Sequence, residues 1–491
     1  MGVRHPFNIL LPTIVLKRFQ HKYEKIKRGQ KGKLPESGAG GWPDLQKLWI
    51  FSESPVGLGP GLGESSTGWG PWWSLAGLAG GFRSKVRDFK KGWKFSGVRS
   101  RFRQMIRIIL LFGVLVSVSG AELTKEEATK EVAAIYGKLA GKRSIEMRKL
   151  KKGFQYFEVK AAEKAMRCVG KLYGEAEKGK RALFISMHGG GGAPARVNDQ
   201  QWNNQIGLYV PKEGWYVAPR APSDTWDLWH QSHIDALFGR LIEDMVATRG
   251  VDPNRVYLMG YLAGGDGVYQ LAPRMADRFG AATMMAGHPN DATADGLLNL
   301  PFRIYMGGKD AAYKRNEVAA QWKVKLEKLQ KERGGYEHKV TIYPEMGHWM
   351  KKKDAEAVPW MAKKERKAWP KKVIWGKSGT RSERFYWLGG SPKEVVFAEV
   401  TGQVISLKGF GEADLTLFLN DALVNLDEPV TIMAEGKEVF SGKIARTRTA
   451  IEGSLTQRLD PAMAATAVYG VKGTPPKKKE PVNEEVPTKE K

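Results

Sequence analysis

Met259-Gly260-Tyr261-Leu262-Ala263-Gly264-Gly265-Asp266-Gly267 is the stretch whose reading decides the fold. It follows the apolar run Val256–Met259 and precedes Gly264–Phe279, where apolar residues recur at helical spacing. A strand therefore runs through a sharp turn into a helix, and the small flanking residues permit the tight turn. The same alternation continues on both sides. Upstream, Leu183–Met187 reads as a strand ending in a glycine run, Trp215–Ala218 as a strand and Trp229–Arg249 as a long helix. Downstream, Ala281–Met285 and Phe302–Met306 read as strands, Lys314–Arg333 as a helix and Lys339–Tyr343 as a strand. Such alternation gives an α/β fold, a doubly wound and mostly parallel sheet, over residues 181–362.

The flanking segments read differently. Residues 122–180 are expected to be an N-terminal helical segment. It holds one helix over Glu122–Lys142, opened by a capping box of Thr124 and Glu127, and a second over Ala161–Gly174. Lys363–Lys372 is basic and contains Pro370, so it reads as a linker crossed by few contacts. Beyond it, Val373–Leu388, Val395–Val400 and Val404–Leu407 alternate apolar and polar residues. Thr431–Ala434 and Glu438–Ser441 flank a turn at Gly436. Residues 371–470 thus read as a small antiparallel β domain, and the Pro/Lys/Glu-rich stretch 473–491 as a disordered tail.

The 491 residues carry 79 Lys+Arg against 52 Asp+Glu, a net charge of +27. About half of that excess falls in residues 1–104, which are Gly-rich, hold Trp42, Trp49, Trp69, Trp72, Trp73 and Trp93, and show no lasting period. They read as a leader outside the native protein, or as a disordered basic arm. No nucleic-acid-binding module accompanies the charge, so no specific nucleic-acid partner is expected. From Met105 a basic start, the apolar run Ile108–Val118 and Ser119-Gly120-Ala121 follow in the order of a secretory signal peptide, residues 105–121. The apolar run is too short for a transmembrane anchor. A mature chain starting near Glu122, secreted or periplasmic, is expected. One cysteine, Cys168, excludes an intrachain disulfide framework, a zinc ribbon and an iron–sulfur site.

Four local signals then fall in chain order. His188-Gly189-Gly190-Gly191-Gly192 follows a strand and turns backbone N–H groups toward an anion, as an oxyanion loop does. The stretch around Leu262 has the shape of a nucleophile elbow, Gly-x-Ser-x-Gly. Gly307-Gly308-Lys309-Asp310 and Glu345-Met346-Gly347-His348-Trp349 each follow a strand. At these residues the chain resembles the α/β-hydrolase superfamily. More narrowly, it is similar to exported bacterial esterases of the poly(3-hydroxybutyrate) depolymerase-like and dienelactone hydrolase-like group, over about Arg181–Met350. The resemblance implies an acid at Asp310, a base at His348 and oxyanion donors at Gly190, Gly191 and Ala263. It also implies substrate contacts from His188, Tyr261, Trp226, Trp229 and His230. It implies no cofactor and no metal, and a small-molecule or polymeric ester as partner. Oligomeric state is not readable.

One position departs from that pattern. Leu262 stands where the family has its serine, and leucine has no proton to surrender and no lone pair to attack with. Asp266, Ser186 and Cys168 are poor substitutes: a helix start, a buried strand and a helix remote from the sheet. Asp291 is a second candidate acid. His230 and His233, with Asp227 and Asp235 nearby, have a spacing compatible with a metal but no further ligands. Three readings follow: a hydrolase-family protein that has lost its nucleophile and binds an ester or acyl ligand; an active carboxylic-ester hydrolase or peptidase whose Leu262 is a sequence error; and a non-catalytic binding or scaffold protein.

Overall fold

A computed structural model describes residues 122–376 and 383–473. The expected leader 1–104, the expected signal peptide 105–121 and the expected tail beyond Gly473 lie outside the described residues. In chain order the elements begin with α1 (Lys125–Ala140), β1 (Arg148–Lys149), β2 (Gln155–Ala161), β3 (Lys164–Tyr173) and β4 (Arg181–Met187). Then come α2 (Ala195–Gln205), β5 (Gly214–Arg220), α3 (Ser232–Arg249), β6 (Val251–Tyr261) and α4 (Ala263–Arg274). The α/β part closes with β7 (Ala281–Met285), β8 (Phe302–Gly307), α5 (Arg315–Arg333) and β9 (His338–Tyr343).

These strands form one sheet in the order β1-β2-β3-β5-β4-β6-β7-β8-β9. From β5 to β9 every pairing is parallel, and β1, β2 and β3 extend the sheet antiparallel. The central strands are mostly apolar and buried almost along their length, because helices cover both faces. All the strands that carry the glycine run, the elbow, the acid and the histidine end at the same edge, so their loops converge.

The segment 161–174, expected as a helix, is instead β3. Its Ala, Lys, Glu and Met favour a helix locally, but Met166, Cys168 and Gly170 alternate on a buried face. Pairing with β2 and β5 outweighs that propensity. The helix α1 does form, with the Thr124–Glu127 capping box in place.

The C-terminal region contains β10 (Lys372–Trp375), β11 (Arg384–Phe385), β12 (Leu388–Gly390), β13 (Val396–Thr401), β14 (Val404–Lys408), β15 (Leu415–Leu419), β16 (Val430–Ala434), β17 (Lys437–Gly442), α6 (Arg448–Gln457) and β18 (Ala467–Val471). They build a sheet β10-β13-β14-β16-β17 and a sheet β11-β12-β15-β18, antiparallel except for the parallel pair β14–β16.

The stretch 363–372 differs from the linker reading. Arg366 is buried and makes a two-pronged ion pair with Asp460, at 2.6 and 3.1 Å, while also bonding to Asn254 and the Asp277 carbonyl. Arg458 pairs with Asp277. One apolar core runs from Leu183 and Leu258 in the large sheet to Trp375, Phe385 and Trp387 in the C-terminal region. Contacts across the supposed linker are therefore dense.

Candidate functional site

β6 ends at Tyr261 and α4 begins at Ala263, so Leu262 alone turns the corner. Its φ of 57° and ψ of −120° are rare for a side chain with a Cβ and cost about 1–3 kcal/mol. The surrounding glycines leave no looser path. A Cβ on Gly260 would lie 2.2 Å from the Gly264 carbonyl oxygen, and one on Gly264 2.2 Å from that of Met187. The Leu262 N–H donates to the Met285 carbonyl at 3.0 Å, and the Asp266 N–H donates back to Leu262 at 3.0 Å. The Leu262 side chain is half-buried and leans on the glycine loop, its Cδ2 3.0 Å from where a Cβ of Gly189 would stand.

Ala263 is the first residue of α4, so its N–H has no partner within the helix. Gly190, at φ 105°, also finds no acceptor for its N–H among the described residues. Gly191 differs from the expected role: its N–H donates to Asn198 Oδ1 at 3.0 Å, and Asn198 Nδ2 donates back to the Gly191 carbonyl at 3.0 Å. Gly191 is thus held in place by Asn198 and offers no free donor. Asn198 itself donates to Asp224, which Arg220 also engages. Asn198 escaped the sequence reading; its one signal is its place in the helix directly after the glycine run.

The remaining expected substrate contacts divide. His188 is fully buried. Its Nε2 accepts from the Ala221 N–H at 3.1 Å and its Nδ1 faces the Gly189 carbonyl. Burial holds its pKa down at about 3, so it is a neutral brace for the loop. Trp229 is also fully buried and donates its indole N–H to the His188 carbonyl at 2.9 Å. Tyr261 is buried against the histidine loop, with its hydroxyl on the His348 carbonyl. Of the five, Trp226 stays exposed and His230, half-buried, meets it edge-on at 5.5 Å. Burial and the charge of Arg274 lower the His230 pKa.

Asp310 and His348 come together. His348 Nδ1 lies 2.7 Å from Asp310 Oδ2, with the Asp310 side chain 2% exposed and that of His348 25% exposed. Arg315 Nη1 sits 3.4 Å from the other carboxylate oxygen. The carboxylate thus selects the tautomer with the proton on Nδ1, and Nε2 is left free to accept. Asp291 instead accepts from Gln270 at 2.8 Å, so it is not the histidine's partner. Asp266 accepts from the His288 N–H at 2.6 Å and is pushed up by burial. Ser186 is buried on Gln205, and Cys168, which lies on a strand, is buried with its thiol pushed up. Among the described residues no group of three or more His, Cys, Asp or Glu is placed to hold a metal.

Two cavities of about 330 and 400 Å³ lie elsewhere, between α1 and the C-terminal region and beside Arg143, Arg240 and Leu455. Neither touches the residues above, and the site is placed by its chemistry.

Residues 218–378 match the dienelactone hydrolase family. The match holds Leu262, Asp310 and His348 and covers about a third of the chain. Over these residues the chain is similar to that family. No curated protein matches the chain. Among solved structures it is similar to a thermostable esterase at 18% identity and TM-score 0.33, over 44% of this chain and 63% of that one. The chain therefore spans less than two thirds of that esterase. It is also similar to an acetyl xylan esterase from Paenibacillus sp. R4 (12% identity, TM-score 0.32, 49% of this chain and 96% of that one). An S-formylglutathione hydrolase from Staphylococcus aureus gives 12% identity and TM-score 0.30, over 45% of this chain and 98% of that one. Among the described residues no helix is long and apolar enough to cross a membrane.

Proposed function

We propose that this protein is an esterase-type α/β hydrolase in fold and cleft that holds an ester or acyl group without hydrolysing it by the serine route. The observation that carries this is Leu262 at the tip of an otherwise complete elbow. Asp310 and His348 are paired at 2.7 Å, and the N–H groups of Ala263 and Gly190 are free beside the tip. A carbonyl oxygen in that space would accept from both N–H groups, as in an oxyanion hole. His348 Nε2 would be the proton acceptor of a nucleophile, and none is present at position 262.

A second reading, that of a working esterase, is favoured by one feature. Everything around Leu262 is kept: the Asp310–His348 pair and the glycines whose close approaches set the turn. Turnover of a short-chain p-nitrophenyl ester, with resequencing of codon 262, separates the two. No turnover by the protein and some by Leu262→Ser supports the first, and a serine codon found at position 262 on resequencing supports the second, in which Leu262 is a sequence error. Secretion or residence in the periplasm belongs to the same proposal, supported by the sequence from Met105 to Ala121. N-terminal sequencing of exported protein beginning upstream of Met105 counts against it.

A further inference from the structure

Four large aromatic side chains are exposed among the described residues: Trp226, Tyr313, Trp349 and Phe397. Three of them stand on loops at the strand ends that build the candidate site. Tyr313, 57% exposed, is three residues beyond Asp310, and Trp349, 39% exposed, directly follows His348. Both loops also carry lysines: Lys309 and Lys314 on the acid loop, Lys351, Lys352 and Lys353 on the histidine loop, all exposed. The exposed carboxylates beside them are Glu317, Glu345 and Glu356, and Glu345 is engaged by Lys309 at 2.5 Å. Lys314, Lys351 and Lys352 have no ion-pair partner among the described residues.

The backbone presents these groups at a cost. Tyr313 and Lys314 have φ of 55° and 55°, and Lys351 and Lys352 have φ of 52° and 62°. Left-handed backbone at a residue with a Cβ is unfavourable, and adjacent pairs of it are held only where the surroundings enforce them. The two loops are joined by the Lys309–Glu345 pair and the Lys309 N–H on the Met346 carbonyl at 2.9 Å. Tyr261 packs against the Trp349 ring at 5.6 Å, which steadies that indole beside the elbow.

We propose that the acid and histidine loops together form a docking shelf for an anionic polysaccharide, a chain of uronate-type sugar rings. The charge complementarity is direct. Three unpaired ammonium groups meet carboxylates repeated along a chain, while flat aromatic faces take the apolar faces of the rings. A polypeptide polyanion has the charge without the rings, and a neutral glycan has the rings without the charge. This inference rests on the reading of Asp310 and His348 as the border of the ligand cleft. It does not rest on catalysis, because the shelf leaves Leu262 out.

The test is affinity electrophoresis of the full chain through gels containing polygalacturonate, dextran, polyglutamate or duplex DNA. The parent protein should be retarded by polygalacturonate and not by dextran. Lys314→Gln with Lys351→Gln and Lys352→Gln should weaken that binding about tenfold or more, since each removed ammonium takes a charge-assisted contact. Removing the same charge elsewhere, with Lys408→Gln, Lys437→Gln and Lys443→Gln, should change it less than about twofold, because distant exposed charges are screened. Tyr313→Ala with Trp349→Ala should weaken polygalacturonate binding and leave polyglutamate binding unchanged. The proposal is overturned if the two lysine triples behave alike, or if the aromatic pair alters both polymers equally. Retention by DNA or polyglutamate as strong as by polygalacturonate overturns it too. A failure here with successful turnover by Leu262→Ser would remove the shelf and keep the hydrolase reading; the reverse would do the opposite.

Discussion

The Tyr261 hydroxyl donates to the His348 carbonyl at 2.6 Å and accepts from the Met350 N–H at 3.1 Å. The residue before the elbow tip therefore fixes the loop that carries the imidazole, and the two cannot shift independently. Burial raises the Tyr261 pKa, so the hydroxyl keeps its proton and its donor role. Tyr261→Phe should leave a half-buried carbonyl and a buried N–H unpaired, at about 1–3 kcal/mol. Denaturant unfolding checks this. A change well under about 0.5 kcal/mol would mean that packing, not these bonds, holds the loop.

His188 predicts a pH dependence. Its pKa falls from 6.5 to about 3 on folding, chiefly through burial. The unfolded chain therefore binds a proton that the folded chain refuses. The contribution is fully present above about pH 6.5 and is lost as pH falls toward 3, at about 1.4 kcal/mol per unit. His188→Asn removes the titrating group, so its stability should fall less steeply with acid between those values. Parallel slopes for the two proteins, measured by urea unfolding from pH 7 to pH 4, would refute the assignment.

What the sequence made legible follows from where information is local. The elbow, the glycine run, Asp310 and His348 are marked by their own neighbours: glycines that a tight turn demands and strands that end just before. The direction of a side chain is not local. Trp229 and His188 were expected to meet a ligand, yet both are fully buried, with the Trp229 indole, just ahead of α3, donating to the His188 carbonyl. Gly191 looks like a free donor until α2 brings Asn198 beneath it. The segment Lys164–Tyr173 was misread because Ala, Lys and Met favour a helix, while its sheet partners lie at β2 and at the more distant β5. Pro370 and the lysines around it suggested an open linker, but Arg366 among them is buried on a carboxylate nearly a hundred positions away.

That burial gives a third prediction. Burial alone would raise the Asp460 pKa, but Arg366, and then Arg278 and Arg458, outweigh it and leave it at about 2. Its stabilising share is present above about pH 3.8 and is lost as pH falls toward 2. Removing the guanidinium strands a buried carboxylate, so Arg366→Ala should cost about 3–5 kcal/mol. Limited proteolysis should spare 363–372 in the parent protein and cut there in Arg366→Ala. Early cleavage of the parent within that stretch would show that the ion pair does not close it.

The last prediction concerns position 262. Serine there would place a hydroxyl where the leucine now leans on Gly189, within the space bounded by the Ala263 and Gly190 N–H groups. The turn should accept it, since the close approaches of Gly260, Gly264 and Gly265 set the path whatever side chain occupies the tip. Leu262→Ser should lose about 1–2 kcal/mol of stability with the half-buried side chain. It should also gain ester turnover. Loss of a serine nucleophile costs about 10⁶ in kcat in serine hydrolases, so even poor alignment leaves a wide window for a measurable gain. The Asp310–His348 pair at 2.7 Å is already in the tautomer that can take the serine proton. Leu262→Ser/His348→Ala should fall back to the level of the parent. Equal turnover with and without His348 would show chemistry outside this site. A folded Leu262→Ser protein inert on a broad ester panel would mean that the cleft holds its ligand in a pose unsuited to attack from position 262.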